Sequence, residues 1–122
     1  ATRMDFLPSA FGAHYLQGER LVFSWLRELS DDYQGGYWHY YWLSNGAFYM
    51  APDVATKLRL VWGNNFFDGA MSADAAGIVA TFYGLNHLIS ITHNDMLIER
   101  YYGLREYVDR HPEASLIWRA ID

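Results

Sequence analysis

The groups best suited to chemistry in this chain crowd between residues 63 and 74, where Asn64, Asn65, Asp68, Ser72 and Asp74 form its densest polar run. Carboxylate and amide oxygens of this kind are hard donors, the set that Mg²⁺ takes. A metal-dependent nuclease or small hydrolase would use Asp68 and Asp74 together with a histidine. The same five residues also satisfy a second requirement, a polar turn followed by a capped helix. Ser72 is a good N-cap type, and Asp74 falls in the first turn, where the helix dipole favours an anion. The turn-and-cap reading accounts for all five and is preferred; a recognition loop is its functional alternative.

The five histidines are His14, His39, His87, His93 and His111. No two stand at i, i+4, the commonest metal spacing on a helix. His87 and His93 flank a helix junction, where a metal would still need a carboxylate such as Asp95. Capping and core packing explain them more simply, and His39 reads as a packed strand residue. There is no phosphate loop, dinucleotide fingerprint, nucleophile elbow or zinc-protease motif. No catalytic residue, metal ligand or cofactor is therefore assigned.

Trp38, Tyr40 and Trp42 alternate as a base-stacking platform would. Such a platform normally sits in a basic groove, and this segment has no Lys or Arg, so a core role is preferred. Net charge is −5, from 9 basic and 14 acidic residues. That balance disfavours stable nucleic-acid binding, which needs a positive surface, and so disfavours a protein that shields DNA. It is also too weak for a DNA mimic, since duplex DNA carries about one charge per 1.7 Å. The chain has no cysteine, which excludes disulfides and thiolate chemistry and fits a reducing cytosol.

These groups need elements to position them. At 122 residues, 52% apolar and 19% charged, the chain has the size and balance of a single globular domain. Aromatics reach 18%, enough to leave some Tyr and Trp for a contact surface. Residues 1–16 read as an irregular arm pinned by Phe6, Leu7, Phe11 and Tyr15, with Pro8 and Gly12 shaping it. Helical spacing of Leu21, Val22, Trp25, Leu26 and Leu29 predicts a helix from Gly18 to Leu29.

Tyr37 to Leu43 reads as a strand with two aromatic faces, both expected to be covered. Asn45-Gly46 is a hairpin signal, Ala47 to Ala51 a returning strand stopped by Pro52, and Leu58 to Trp62 a third strand. The segment 63–70 reads as a loop. A nearly all-apolar central helix follows from Ala73 to Ile91. Its small residues Ala76, Gly77, Ala80 and Gly84 fit close core packing or, alternatively, a homodimer seam. Thr92 is expected to cap a further helix, with Asp95 in its capping box, a buried stripe of Leu97, Tyr101, Leu104 and Val108, and a Glu106–Arg110 pair outside. Pro112 opens a last short helix through Ile121. The fold class expected is α+β: a small three-stranded antiparallel meander packed with about four helices. The start of the chain lacks the pattern of a leader peptide, and the stretch 75–91 is broken by Thr81, Asn86, His87 and Ser90, so no membrane span is expected.

Four segments together resemble the ArdB/KlcA antirestriction family: FLPSAFG at 6–12, GGYWHYYWLSNGAFYMAP at 35–52, MSADAAGI at 71–78 and HPEASLIWRAID at 111–122. They occur in the same order over nearly the whole chain. The resemblance implies a bacterial cytoplasmic protein, borne on plasmids or genomic islands, that relieves type I restriction of incoming plasmid or phage DNA. Its partner would be the type I restriction–modification enzyme or a host factor controlling it. The resemblance carries over no catalytic residue. It directs attention to Asn45 and Gly46 in the hairpin, Ser72 and Asp74 at the cap, and Arg119 and Asp122 at the terminus. With Asn64, Asn65, Phe67 and Asp68 of the polar loop, these are the candidate binding residues. Two departures stand out: the family usually has Gly where Ala47 stands, and its members tend to have a longer N-terminal arm, so the chain is expected to be trimmed there.

Overall fold

The structure is a computed structural model that describes residues 3–122. Helix α1 (Arg3–Phe11) replaces the irregular arm expected there; residues 1 and 2 lie outside the described residues. Its buried side chains, Phe6, Leu7, Ala10 and Phe11, follow the spacing of one helical face. Burying that face is worth about 1.5–3 kcal/mol per large apolar side chain, which outweighs the roughly 3 kcal/mol penalty of Pro8 inside the helix. A 3₁₀ turn (Gly12–His14) leads into α2 (Tyr15–Leu29), which begins earlier than the predicted Gly18.

An ion pair between a half-exposed arginine and a buried glutamate fastens these helices to the sheet. Glu19 lies in the interior and takes two hydrogen bonds from the Arg3 guanidinium, the Nε one at 2.7 Å, and a third from the Tyr40 hydroxyl at 2.7 Å. Burial, then the Glu19 bond, pushes the Tyr40 hydroxyl well above its ordinary pKa of 10.0.

Strands β1 (Trp38–Trp42) and β2 (Phe48–Pro52) form the Asn45-Gly46 hairpin, paired from Trp42↔Phe48 to Trp38↔Pro52. Pro52 is thus the last paired residue of the strand, not a stop before it. β3 (Leu58–Trp62) does not extend this sheet. It pairs with β4 (Phe67–Met71), a strand read from sequence as loop, and the expected three-stranded meander becomes two separate two-stranded sheets.

The edge of β2 explains why. At Met50 the backbone N–H donates to Thr81 Oγ1 at 3.1 Å, and the Thr81 hydroxyl lies 3.3 Å from the Met50 carbonyl. These are groups a third strand would need. Close approach makes the contact possible: a Cβ on Gly77 would stand 2.3 Å from the Met50 carbonyl oxygen and 2.4 Å from Ala51 Cα. The small-residue ladder is therefore packing within the chain, with Gly84 set against Val22 of α2.

The helix carrying that ladder is α3 (Ala73–Thr92), which Ser72 caps by accepting from the Ala75 N–H at 3.1 Å. It is long and apolar enough to cross a membrane, but most of it is buried among the other elements. At its far end the expected cap is corrected. His93 takes the left-handed conformation (φ 52°) that closes α3, and Asn94, not Thr92, caps α4 (Asp95–Val108) by accepting from the Leu97 N–H at 3.1 Å. Leu97, Leu104 and Val108 are buried as the stripe predicts, with Tyr101 half-buried against the core. Glu106 faces Asn45 rather than Arg110. Pro112 lies in the turn before α5 (Ala114–Ile121) rather than in its first turn.

The core runs from Phe6 to Ala120 and takes in residues of every helix and strand. On β1 only Trp38 is fully inside. His39, Tyr41 and Trp42 are exposed, so the faces of this strand are not both covered as expected.

Candidate functional site

Ser72 and Asp74 meet residues far along the chain. The Asp74 carboxylate accepts from the Tyr49 hydroxyl at 2.9 Å and holds His111 Nε2 at 2.8 Å. The other ring nitrogen, His111 Nδ1, accepts from the Glu113 backbone N–H at 3.0 Å, which places the ring proton on Nε2. Glu113 turns back to Ser72, taking its backbone N–H at 2.9 Å and its hydroxyl. Tyr49 stacks on Tyr107 at 5.9 Å and packs against the half-open ring of Tyr41 at 4.9 Å.

Two shifts mark this network. Burial, and then the bond to Asp74, pushes the Tyr49 hydroxyl far above its ordinary pKa of 10.0. For Glu113 burial opposes the charge, but the two bonds from Ser72, with His111 and Lys57 nearby, outweigh it and hold the carboxyl below its ordinary 4.5. Both nitrogens of His111 are engaged and its side chain is buried, so it has no free lone pair for a base or a metal. The network braces the start of α3 against the turn before α5. Tyr49 and Glu113 carry no local signal, because their partners lie 25 and 41 residues away.

The other candidates lie elsewhere. Asn45 donates to the Gly103 carbonyl at 2.8 Å and accepts from the Ala47 N–H at 3.0 Å, while Arg100 donates to the Gly46 carbonyl at 2.9 Å. The hairpin tip is thus docked on α4, beside a small cleft of about 90 Å³ lined by Leu43, Glu106, Tyr107 and Arg110. Asp68 forms a two-pronged pair with Arg59 at 2.8 and 2.6 Å on the outside of β4. Asp68 and Asp74 therefore serve different partners. Among the described residues no group of three His, Asp or Glu side chains is arranged to hold a metal ion. Asp122 lies 3.8 Å from Arg105, and the Arg119 guanidinium sits 5.6 Å from the centre of the Phe67 ring. His87 accepts from the Trp25 indole at 3.2 Å.

The β3–β4 turn separates two adjacent phenylalanines. Asn64 is exposed there. Asn65 donates to the Ala120 carbonyl at 2.8 Å and accepts from the Phe67 N–H at 3.1 Å, so it pins both sides of the turn. Phe67 points inward and is 4% exposed; Phe66 is 94% exposed and holds a positive φ of 60°. A bulky residue rarely adopts that conformation, which costs roughly 1–2 kcal/mol outside glycine. Phe67, one of the candidate binding residues expected in this loop, therefore faces the core, and its neighbour Phe66, not among those candidates, is the exposed one. The signal for Phe66 is the Phe-Phe pair itself: adjacent side chains point in different directions, and here Phe67 opens β4 facing the core while Phe66 ends the turn facing solvent.

The fold is thus an α+β scaffold of two two-stranded sheets and five α-helices that holds Asp74, His111 and Glu113 in mutual bonds and projects Phe66 into solvent. The sequence model of antirestriction proteins matches residues 31–122, and the chain belongs to the antirestriction protein family. It is similar to the antirestriction protein KlcA of Escherichia coli, at 50% identity over 100% of this chain and 89% of that protein. YubI, a putative antirestriction protein of Escherichia coli K12, is 36% identical over 98% of this chain and 89% of its own length. A solved structure of this group superposes with a TM-score of 0.90 at 51% identity, over 98% of this chain and 88% of the other. It belongs to work on KlcA and ArdB, described as a novel fold with antirestriction activity against type I DNA restriction systems in vivo but not in vitro.

Proposed function

We propose that this chain relieves type I restriction of incoming plasmid or phage DNA in the bacterial cytoplasm, through a protein contact centred on Phe66. The carrying observation is the Phe66 side chain, held in solvent in a strained conformation that Asn65 imposes from both sides. Strain and exposed apolar surface both oppose stability, and such features are retained at contact sites. DNA mimicry receives no support. Asp68, Glu19 and Asp122 face arginines of this chain rather than forming a free acidic track, and the net charge is only −5. Activity of KlcA and ArdB in cells but not in vitro favours a host factor controlling the restriction enzyme over the enzyme itself as the partner.

Phage plating on a type I restricting host, with an otherwise identical restriction-deficient host as control, tests this reading. Expression of the chain raises plating on the restricting host alone. Phe66→Ala, at equal soluble level, abolishes the rise. No rise with the unaltered chain overturns the function, and a rise undiminished by Phe66→Ala moves the contact elsewhere.

A further inference from the structure

A groove of about 300 Å³ runs between α2, α3 and β3, lined by Leu21, Ser24, Trp25, Glu28, Trp62 and His87. Two indoles form its corner: the Trp25 and Trp62 rings lie 5.3 Å apart at 78° to each other. Trp25 is held by stacking on Tyr83 at 4.9 Å and by its bond to His87, so the corner is preformed. Glu28 stands at its wall, exposed, with no hydrogen-bond or ion-pair partner among the described residues. No Lys or Arg lines the groove. Arg3, Arg59, Arg100 and Arg105 are each engaged with other residues of this chain.

We infer that this groove receives an arginine side chain from a protein partner. Indole is the best aromatic receptor for a cation, and a planar, weakly hydrated guanidinium can lie against one ring while its edge meets a carboxylate. The Trp25–Trp62 corner and the unpaired Glu28 supply those two parts. The whole chain carries a net charge of −5, which favours a basic partner, and at the groove itself Glu28 is the one charged residue of the lining. The assignment does not depend on Phe66 being a contact residue.

The test is a titration of the full ¹⁵N-labelled chain with the peptide acetyl-Gly-Arg-Gly-amide, following the indole N–H signals. An identical peptide carrying citrulline, neutral but of the same shape, is the control. The arginine peptide shifts the Trp25 and Trp62 signals saturably, with a dissociation constant on the order of millimolar for so small a contact. Glu28→Gln, an exposed change that spares the fold, weakens binding about threefold, and added salt weakens it further. Unmoved Trp25 and Trp62 signals, or equal shifts from the citrulline peptide, overturn the inference. So does a response to tetramethylammonium chloride that the arginine peptide does not share, which marks a quaternary-ammonium site instead.

Discussion

Asp74 and His111 are 37 residues apart and meet at 2.8 Å, joining the first turn of α3 to the turn that precedes α5. The same carboxylate takes the Tyr49 hydroxyl from β2, so one residue ties three segments. Asp74→Ala leaves the buried His111 N–H without an acceptor and is expected to destabilise by about 1–3 kcal/mol in urea unfolding. Tyr49→Phe is expected to cost about 1 kcal/mol. The double variant should lose less than the sum of the singles, because both remove the same bond. Additive losses would show that the network does not act as a unit.

Gly77 sets how closely α3 approaches β2. Its added Cβ would meet backbone, the Met50 carbonyl and Ala51 Cα, which cannot swing aside as a side-chain tip can. Gly77→Ala therefore destabilises despite alanine's better helix propensity, by about 1–3 kcal/mol as overpacking does. Gly63→Ala, where a Cβ meets nothing within 4 Å, is the control and stays within about 0.5 kcal/mol. Thermal unfolding of the two variants compares them directly, and equal midpoints would remove the close-packing account.

Acid should act through Glu113. Its folded pKa lies below its ordinary 4.5, so its contribution is present above that value and is lost as the pH falls through the folded pKa. Stability measured downward from about pH 5 is expected to decline less steeply in Glu113→Gln than in the unaltered chain. Parallel slopes would mean that other carboxylates govern the acid limb.

Alkali should act through Tyr40 and Tyr49. Their folded pKa values are raised, by burial first and then by their carboxylate partners. Their contribution is full below pH 10 and is lost as pH rises through the folded values. In a tyrosinate absorbance titration both should stay protonated past the ordinary range and ionise only as the chain unfolds. Tyr49→Phe and Tyr40→Phe then reduce the late step and not the early one.

Function and stability should separate at Phe66. Glycine accepts a φ of 60° without strain, so Phe66→Gly relieves roughly 1–2 kcal/mol, partly offset by glycine's freer unfolded chain. The expected result is a protein at least as stable as the unaltered chain that no longer relieves restriction. A clear fall in unfolding midpoint would show that Phe66 supports the fold instead.

The sequence by itself determined the features set by neighbours within one or two turns. The spacing from Leu21 to Leu29 is one helical face whatever lies opposite, Ser72 can cap only the helix that follows it, and Asn45-Gly46 closes a hairpin through its own backbone preferences. The α+β class and the family resemblance also lay in the linear order of residues. Pro8 and Gly12 are local breakers that hide helix α1 in the sequence, and only contact with the core stabilises that helix. Tertiary structure alone decided which strand β3 would join, because Thr81 and Gly77 occupy the β2 edge from 31 and 26 or more positions away in a different element. It also decided that Phe67 turns inward and Phe66 outward, and that Asp74 meets His111. Each of these choices is made by a hydrogen bond or a packed surface between distant segments, and such a partner leaves no periodic trace in the chain.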